Sequence, residues 1–580
     1  MNNTISITGL GIVCAIGNDA ASVLASLRSG ESGIGPMRYL QSKHRHLPVG
    51  EVQLSNQEMK QMLGVDSSQP VSRTSLMGAI AIAQALENAS IESLDGRRVA
   101  IISGTTVGGM DLSELHYGEM LHDESLEYLL QGNECGKSTE EMAELLGLKG
   151  AEVCTISTAC SSALNSIILG SEMLKRNEVD VVIAGGSEAL SRFHLNGFNT
   201  LMILDKERCR PFDDTRAGLN LGEGAAFVVM ERNKPNALAY VAGYGNRCDA
   251  FHQTASSEDG EGAYLAMRDA LEMARMEPGQ IDYINAHGTG TPNNDPSESR
   301  SIMRLFGDTI PEMSSTKSFT GHTTSASGSI ESVICILAMQ HNFIPANLGW
   351  TTPIAGAITP SLGSEGVELN RVICNSFGFG GNDSSLVLSK TPVEYLPQLQ
   401  DDAQSVVVAD ETVESSDDFA ELRQYIAPLE LRRMGKLMKA AQLSAIRAMH
   451  KAQLSCPDVI ITATSRGMLE ISMQFLDDIE RNDEELLKPT LFMNSTHNTI
   501  SSAIAIRCKC HGYNITYSQG DDSMAWAMRD AERQITTGKA STVLVVEFDE
   551  STPMLSDTFR RNNMTVPKDL YARSIVLKRK

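Results

Sequence analysis

Residues 153–164 read VCTISTACSSAL, and the reading of this stretch decides the fold. Val153 to Ser157 mixes apolar and polar residues in the manner of a short strand. From Ser161 the spacing turns helical, with Leu164, Ile167, Ile168 and Leu174 on one face. Cys160 is therefore expected at a strand-to-helix turn, beside the first free N–H groups of the helix. Those donors and the helix dipole favour negative charge, so a thiolate with a lowered pKa is expected. Thr158, Ala159, Ser161 and Ser162 are small, as a tight turn requires. Taken alone, such a Cys reads as an inert buried thiol.

Two distant stretches change that reading: AHGTGTPNND (286–295) and KSFTGHTTSASG (317–328). Each places a His, His287 and His322, in a Gly/Thr-rich turn after a strand-like run. One nucleophile-type Cys with two such His is a constellation for thiol-based acyl chemistry. These motifs, with RPFDDTRAGLNLGEGA (210–225) and NSFGFGGNDSS (375–385), resemble the elongating Cys-His-His β-ketoacyl-acyl-carrier-protein synthases of the thiolase superfamily. The resemblance spans roughly residues 1–390.

That resemblance implies an acyltransferase that joins an acyl thioester to malonyl carrier protein by decarboxylative Claisen condensation, in fatty acid or in polyketide or polyene elongation. It makes Cys160 the acyl acceptor and gives His287 and His322 the decarboxylation and condensation. It implies an oxyanion hole from the backbone N–H groups of Cys160 and Phe379, with Phe379 and Phe377 as the acyl gate. Lys317 and Glu331 become a buried pair that orders the His322 loop, and Glu298 supports the His287 loop. The chain departs from the common GHxxGAAG pattern at Ser325 and Ser327. No cofactor of its own is implied, since phosphopantetheine arrives on the acyl carrier protein, and a homodimer is expected. A coenzyme A-dependent thiolase would need a second Cys as base. Cys374 is near the right region, but Phe377–Gly381 fills the turn instead. A chain-length-factor-like inert partner is disfavoured for this module by the intact Cys and His set.

The 580-residue chain is too long for one core, and its 42% hydrophobic and 21% charged content is that of an ordinary globular protein. A formal net charge of −23 argues against nucleic-acid and anionic-membrane partners, and no run approaches the length of a membrane span. A carrier protein is itself typically acidic, so its docking requires a local basic patch; Lys206, Arg208 and Arg210 are the candidates. The eleven Cys show no metal framework, since Cys508-Lys509-Cys510-His511 lacks a second ligand pair. Scattered Cys suit a reducing compartment, and MNNTISITGLGIVCAIG lacks the basic start of a signal peptide, so a cytoplasmic location is expected.

Alternating strands and helices predict an α/β protein. Thr4–Thr8 reads as a first strand, followed by GLG and a polar turn at Asn18-Asp19, Ser72–Ala89 as a nearly all-apolar helix, and 111–130 and 138–147 as helices. The resemblance sharpens the class to a thiolase fold of two similar halves in five αβαβα layers, followed by an extra α/β half. The halves are placed at 1–250 and 251–392. An acidic linker is expected at 393–424, although Ser405–Ala409 could form a strand. The remainder, 425–580, repeats the first half. PDVIITATSRGMLEISMQFL (457–476) parallels 97–116, and HGYNITYSQGDDSMAWAMRDAERQITTGKASTVLVVEFDE (511–550) parallels 150–189. In the second pairing Gly520 falls opposite Ala159, and Asp521 opposite Cys160. The tail is thus a half without its nucleophile, and KPTLFMNSTHN (488–498) resembles a stretch of short synthase-like domains. His497 there reads as a capping or core residue. Such a half would leave an apolar face to pack on the synthase or on another synthase subunit.

Overall fold

A computed structural model of the chain describes residues 3–120, 134–395, 404–561 and 568–580. Fifteen strands form one continuous mixed sheet. At one end lie Glu312–Ser314, Tyr283–Asn285, Arg371–Gly378, Asn382–Ser389 and Ala239–Cys248, which form the sheet of the second half; since Ala239–Cys248 pairs along Asn382–Ser389, the boundary between the halves falls before residue 239 and not at 250. The first half continues with Ile5–Cys14, Gly224–Arg232, Val181–Glu188, Val99–Gly104 and Glu152–Ile156. Beyond Glu152–Ile156 the order repeats in mirror sense: Asn514–Tyr517, Val459–Ala463, Thr542–Glu550, Leu570–Arg579 and Ser405–Glu414. The tail is therefore a complete five-stranded first half laid edge to edge against the original. Helices Ser162–Lys175 and Ser327–His341 pack together between the two halves of the synthase module, and Arg73–Asn88 and Glu261–Ala274 cover the outer faces.

Two expectations are corrected by packing. The first strand does not end at Thr8 but runs on through Gly9 and Gly11 to Cys14. Helix Arg73–Asn88 lies directly on its glycines: a Cβ on Gly9 would stand 2.2 Å from the Ala85 carbonyl oxygen, and one on Gly11 2.0 Å from that of Ala81. Here glycine serves close approach, not a turn. The acidic stretch at 393–424 is not simply a linker. Ser405–Glu414 is the edge strand of the tail, in the place Ile5–Cys14 takes in the first half. Ala409 and Val413 are buried, while Asp410, Glu411 and Glu414 pair with Arg573, Lys451 and Lys568. The helix expected at 111–130 is seen as Met110–Met120, with the rest outside the described residues, and Cys135–Leu145 is the next helix.

The junction between the two halves is short in strand terms and extensive in side chains. Tyr517 pairs antiparallel with Ile156. The N–H groups of Ser157 and Ser518 donate to the carbonyls of Thr516 and Thr155 at 3.0 and 2.9 Å. Phe475, Leu476, Ile479 and Phe492 of the tail enter one apolar cluster with Phe193, Leu195 and Phe198. Among the described residues, the uncovered apolar face expected of a lone half is not found. Helix Lys436–Lys451 covers one side of the tail's sheet and Ser523–Thr536 the other.

Candidate active site

Cys160 occupies a single 3-10 turn, Ala159–Ser161, between strand Glu152–Ile156 and helix Ser162–Lys175. The turn needs a left-handed residue: Ala159 has φ +52°, and Gly520 has φ +51° in the matching turn of the tail. The module thus holds Ala where Gly is the unstrained choice. Cys160 is 5% exposed, whereas Asp521, its counterpart, faces solvent.

The expected lowering of the thiol pKa is not what this geometry gives. Burial dominates and pushes Cys160 up to about 12, against the pull of the Lys317 charge and of two backbone N–H groups directed at the sulfur. Those N–H groups belong to Phe379 and to Cys160 itself.

The reactive atoms of Cys160, His287 and His322 all lie within 4.8 Å of one another. The two imidazoles meet edge-on, with centroids 5.3 Å apart, and Phe377 lies 5.8 Å from His287. Both rings are buried, and both pKa values are driven well below the ordinary range, first by burial and then by the Lys317 charge. Both are therefore neutral near neutral pH. Lys317 pairs with Glu331 on helix Ser327–His341, out of solvent. Glu298 accepts from the N–H groups of His287 and Gly288, both at 2.8 Å, and burial raises it to about 7.

The 210–225 motif is the clamp between these loops. The His322 N–H donates to the Asn220 carbonyl at 2.7 Å, and the Gly222 N–H donates to the His322 carbonyl at 2.9 Å. Asp295 accepts from the N–H groups of Phe212 and Gly290, which ties the same segment to the His287 loop. The two departures from the common pattern are hydrogen-bonded: Ser327 Oγ lies 3.0 Å from His322 Nδ1, and Ser325 Oγ donates to Glu188. Cys374 is turned away from this centre, its sulfur 3.7 Å from Ser332 Oγ and 3.8 Å from the Gly328 carbonyl oxygen.

A cavity of about 90 Å³ opens over Cys160, His287 and His322, roofed by Phe377 and Phe379. Behind Phe379 lies an apolar cavity of about 30 Å³ that also touches Cys160. Its wall includes Phe492, Ser495 and Thr496, so the tail contributes to the space beside the nucleophile. The sequence singled out the stretch 488–498 that holds these three residues, but gave them no role beside the nucleophile. Phe379 stacks on Phe198 at 5.6 Å, and Phe198 in turn meets Phe492 at 5.3 Å.

The basic docking candidates are separated by their partners. Arg210 is not a free cation: it is held by Glu207 at 2.8 Å and Asp205 at 3.3 Å. Lys206 and Arg208 are exposed. In the tail the fold brings Cys456 against Cys508 and Cys510, while His511 Nδ1 turns to the Cys248 carbonyl at 3.0 Å. His497 is buried, with Nδ1 3.0 Å from Ser518 Oγ and 3.7 Å from the Cys135 sulfur.

Comparison with known proteins gives the family. Residues 2–236 match the β-ketoacyl synthase N-terminal domain and 238–351 its C-terminal domain, and 399–579 match a second N-terminal domain of that kind. The 3-oxoacyl-[acyl-carrier-protein] synthase 2 of Coxiella burnetii is 33% identical over 410 residues, 66% of this chain and 98% of that protein. Nodulation protein E of Rhizobium meliloti is 32% identical over 411 residues, 67% of this chain and all of that protein. Among solved structures, the ishigamide ketosynthase/chain length factor is 29% identical, with TM-score 0.63, over 67% of this chain and all of that one. The PfaC keto synthase–chain length factor covers 100% of this chain with TM-score 0.80, over 78% of its own length, at 17% identity, a likeness of fold alone. The chain belongs to the β-ketoacyl synthase family. It is a 3-oxoacyl-[acyl-carrier-protein] synthase, an acyltransferase of fatty acid or polyketide elongation, followed by a second synthase-like half. Among the described residues no helix is long and apolar enough to cross a membrane.

Proposed function

We propose that Cys160 accepts the growing acyl chain and that His287 and His322 drive its extension by a malonyl unit. The observation that carries this is the convergence of the three reactive atoms within 4.8 Å, under two backbone N–H groups aimed at the sulfur. The sulfur attacks the acyl thioester, its proton ending on the departing carrier thiol, and the tetrahedral oxyanion takes the N–H groups of Cys160 and Phe379. The carrier's thiol departs. The malonyl thioester then loses CO2, and its enolate oxygen accepts from the imidazole N–H groups of His287 and His322. The enolate carbon attacks the Cys160 thioester, so the C–C bond forms and the C–S bond breaks. A Ser327 hydroxyl donating to His322 Nδ1 leaves the proton on Nε2, as this role requires. The Cys-His-His set also contains donors that metals take, but the burial and the Lys317 charge that keep both rings neutral also oppose a metal cation. Glu298 and the Lys317–Glu331 pair hold the loops.

In this reading the thioesters arrive on the phosphopantetheine arm of an acyl carrier protein, which docks at the exposed Lys206 and Arg208. The acyl chain passes Phe379, with Phe377 beside it, into the apolar cavity bounded by the tail. The tail then plays the part of a chain length factor, and a polyketide or polyene pathway fits this better than housekeeping fatty acid synthesis. A homodimer would have to form through a surface other than the edge of Glu152–Ile156, which the tail occupies.

Intact-mass analysis with acyl and malonyl carriers tests the assignment. Cys160→Ala should abolish the acyl adduct. His287→Ala and His322→Ala should keep it, while CO2 release falls at least about a hundredfold. A full-stoichiometry adduct on folded Cys160→Ala would show the assignment to be wrong.

A further inference from the structure

The tail has no nucleophile, yet it grips the loop that faces Cys160. Asn498 closes the KPTLFMNSTHN stretch ahead of helix Thr499–Cys508 and is 1% exposed. Its side-chain Nδ2 donates to the Phe379 carbonyl at 2.8 Å. Its Oδ1 is buried without a hydrogen-bond partner. An unpaired buried carbonyl is unfavourable, so the amide is poor core filler, and its bond to Phe379 is what it supplies.

Contacts on both sides extend the grip. Gly380 has φ +88°, and a Cβ there would lie 2.0 Å from Ser502 Oγ and 2.9 Å from Asn498 Nδ2, so the loop runs against the tail helix with no side chain between. The Gly380 N–H donates to the Gln253 carbonyl at 2.7 Å, and Gln253 Nε2 donates to Asn494 Oδ1 at 3.5 Å. Residues 494, 498 and 502 thus touch two segments that border the mouth of the Cys160 cavity. On the inner side, the Phe379 N–H points at the sulfur and its ring stacks on Phe198. The backbone of Phe379 is pinned from the tail through its carbonyl and aimed at the nucleophile through its N–H.

We infer that Asn498 is a positioning residue for acyl transfer: it acts through Phe379, holding that N–H where the oxyanion forms, without touching substrate. The inference rests on the reading of Phe379 as an oxyanion donor. It makes the empty half a working part of the active site and not only a wall.

The test uses the full-length chain, with S-hexanoyl-N-acetylcysteamine as acyl donor and iodoacetamide as a probe that needs no oxyanion hole. Acylation and alkylation of Cys160 are followed by intact mass. Asn498→Ala should lower the limiting acylation rate by about ten- to a hundredfold, short of the full loss of a donor, which is about a hundred- to a thousandfold. The half-saturating donor concentration should stay within about twofold of the parent and the elution volume unchanged, while alkylation, which feels the Phe379 N–H only through the thiol pKa, should fall by much less than acylation. Asn498→Asp keeps the shape and removes the donor, and it should give the same split if the alanine variant is not recovered folded. Limiting acylation within twofold of the parent, or acylation and alkylation falling together, would overturn the inference. An acyl adduct persisting on Cys160→Ala would overturn the site reading beneath it, a separate outcome.

Discussion

Phe492→Ala tests whether the acyl chain runs toward the tail. The Phe492 ring is 3% exposed and lies between Phe198 at 5.3 Å, Phe193 at 6.0 Å and Phe475 at 6.0 Å. It rests on the bare backbone of Gly197, where a Cβ would stand 2.1 Å from its ring. The cavity it walls is about 30 Å³, near the volume of a single water in the liquid, so it holds almost no chain as it stands. Removing the ring vacates the space of six close-packed carbons, room for an acyl chain about four to six carbons longer. The same truncation should destabilise the docked tail by about 3–5 kcal/mol, the usual cost of Phe→Ala in a core. The assay is a series of acyl thioesters of increasing length, scored by Cys160 adduct mass, beside thermal unfolding of the same preparations. The expected result is a longer upper limit on chain length with unimpaired loading of short chains. A variant that loses stability with an unmoved length limit would show that the chain leaves Cys160 by another route.

Burial holds the Cys160 thiol neutral, and a raised pKa means the thiolate fraction climbs with pH through the accessible range. Alkylation by iodoacetamide should rise about tenfold per pH unit from 7 to 9, and a plateau below pH 8 would contradict the raised value. Replacing Lys206 and Arg208 together by Glu should raise the Michaelis constant for acyl carrier, with the parent strongly salt-dependent. Unchanged kinetics at low salt would remove that surface from consideration. Sedimentation equilibrium should show whether a second copy associates; association abolished by substitutions at Tyr517 and Ile156, with the tail still docked, would contradict the use of another surface.

The parts of the site that were legible in the sequence are those carried by local pattern. Cys160, His287 and His322 each follow a strand and sit among small residues, and the tail's repeat is plain from its strand and helix spacing. What escaped is set by distant partners. Gly9 and Gly11 look like the end of the first strand until helix Arg73–Asn88 presses on them. The acidic run at 401–418 looks solvated, but Arg573, Lys451 and Lys568 arrive from more than a hundred residues away or across a helix to pair with part of it. Arg210 looks free until Asp205 folds back on it. The Cys160 pKa was misjudged for the same reason: the helix terminus is local and readable, whereas enclosure by loops from both halves is not. Asn498 shows the limit most clearly. Its neighbour His497 drew the eye as a titratable side chain, but it is the amide beside it that reaches the catalytic loop.

The comparison of two helices explains how a half can stand without its own second half. Ser162–Lys175 follows the nucleophile turn and packs against Ser327–His341 of the second half; of its residues only Lys175 is not buried. Ser523–Thr536 follows the matching turn in the tail, where no second half exists. It keeps Trp526, Ala527, Ala531 and Ile535 inward but exposes Ala525, Arg529 and Glu532. The helix that is buried all round in the module has become two-faced in the tail, and the face that lost its cover carries Arg529 and Glu532. That change removes the need for a second half but not the need for a partner at the strand edge. An unpaired Asn514–Tyr517 edge would present open N–H and C=O groups, and the matching edge of the module, Glu152–Ile156, meets them. The tail has therefore been freed from one of the two surfaces a synthase half must bury and committed to the other, which is the one beside Cys160.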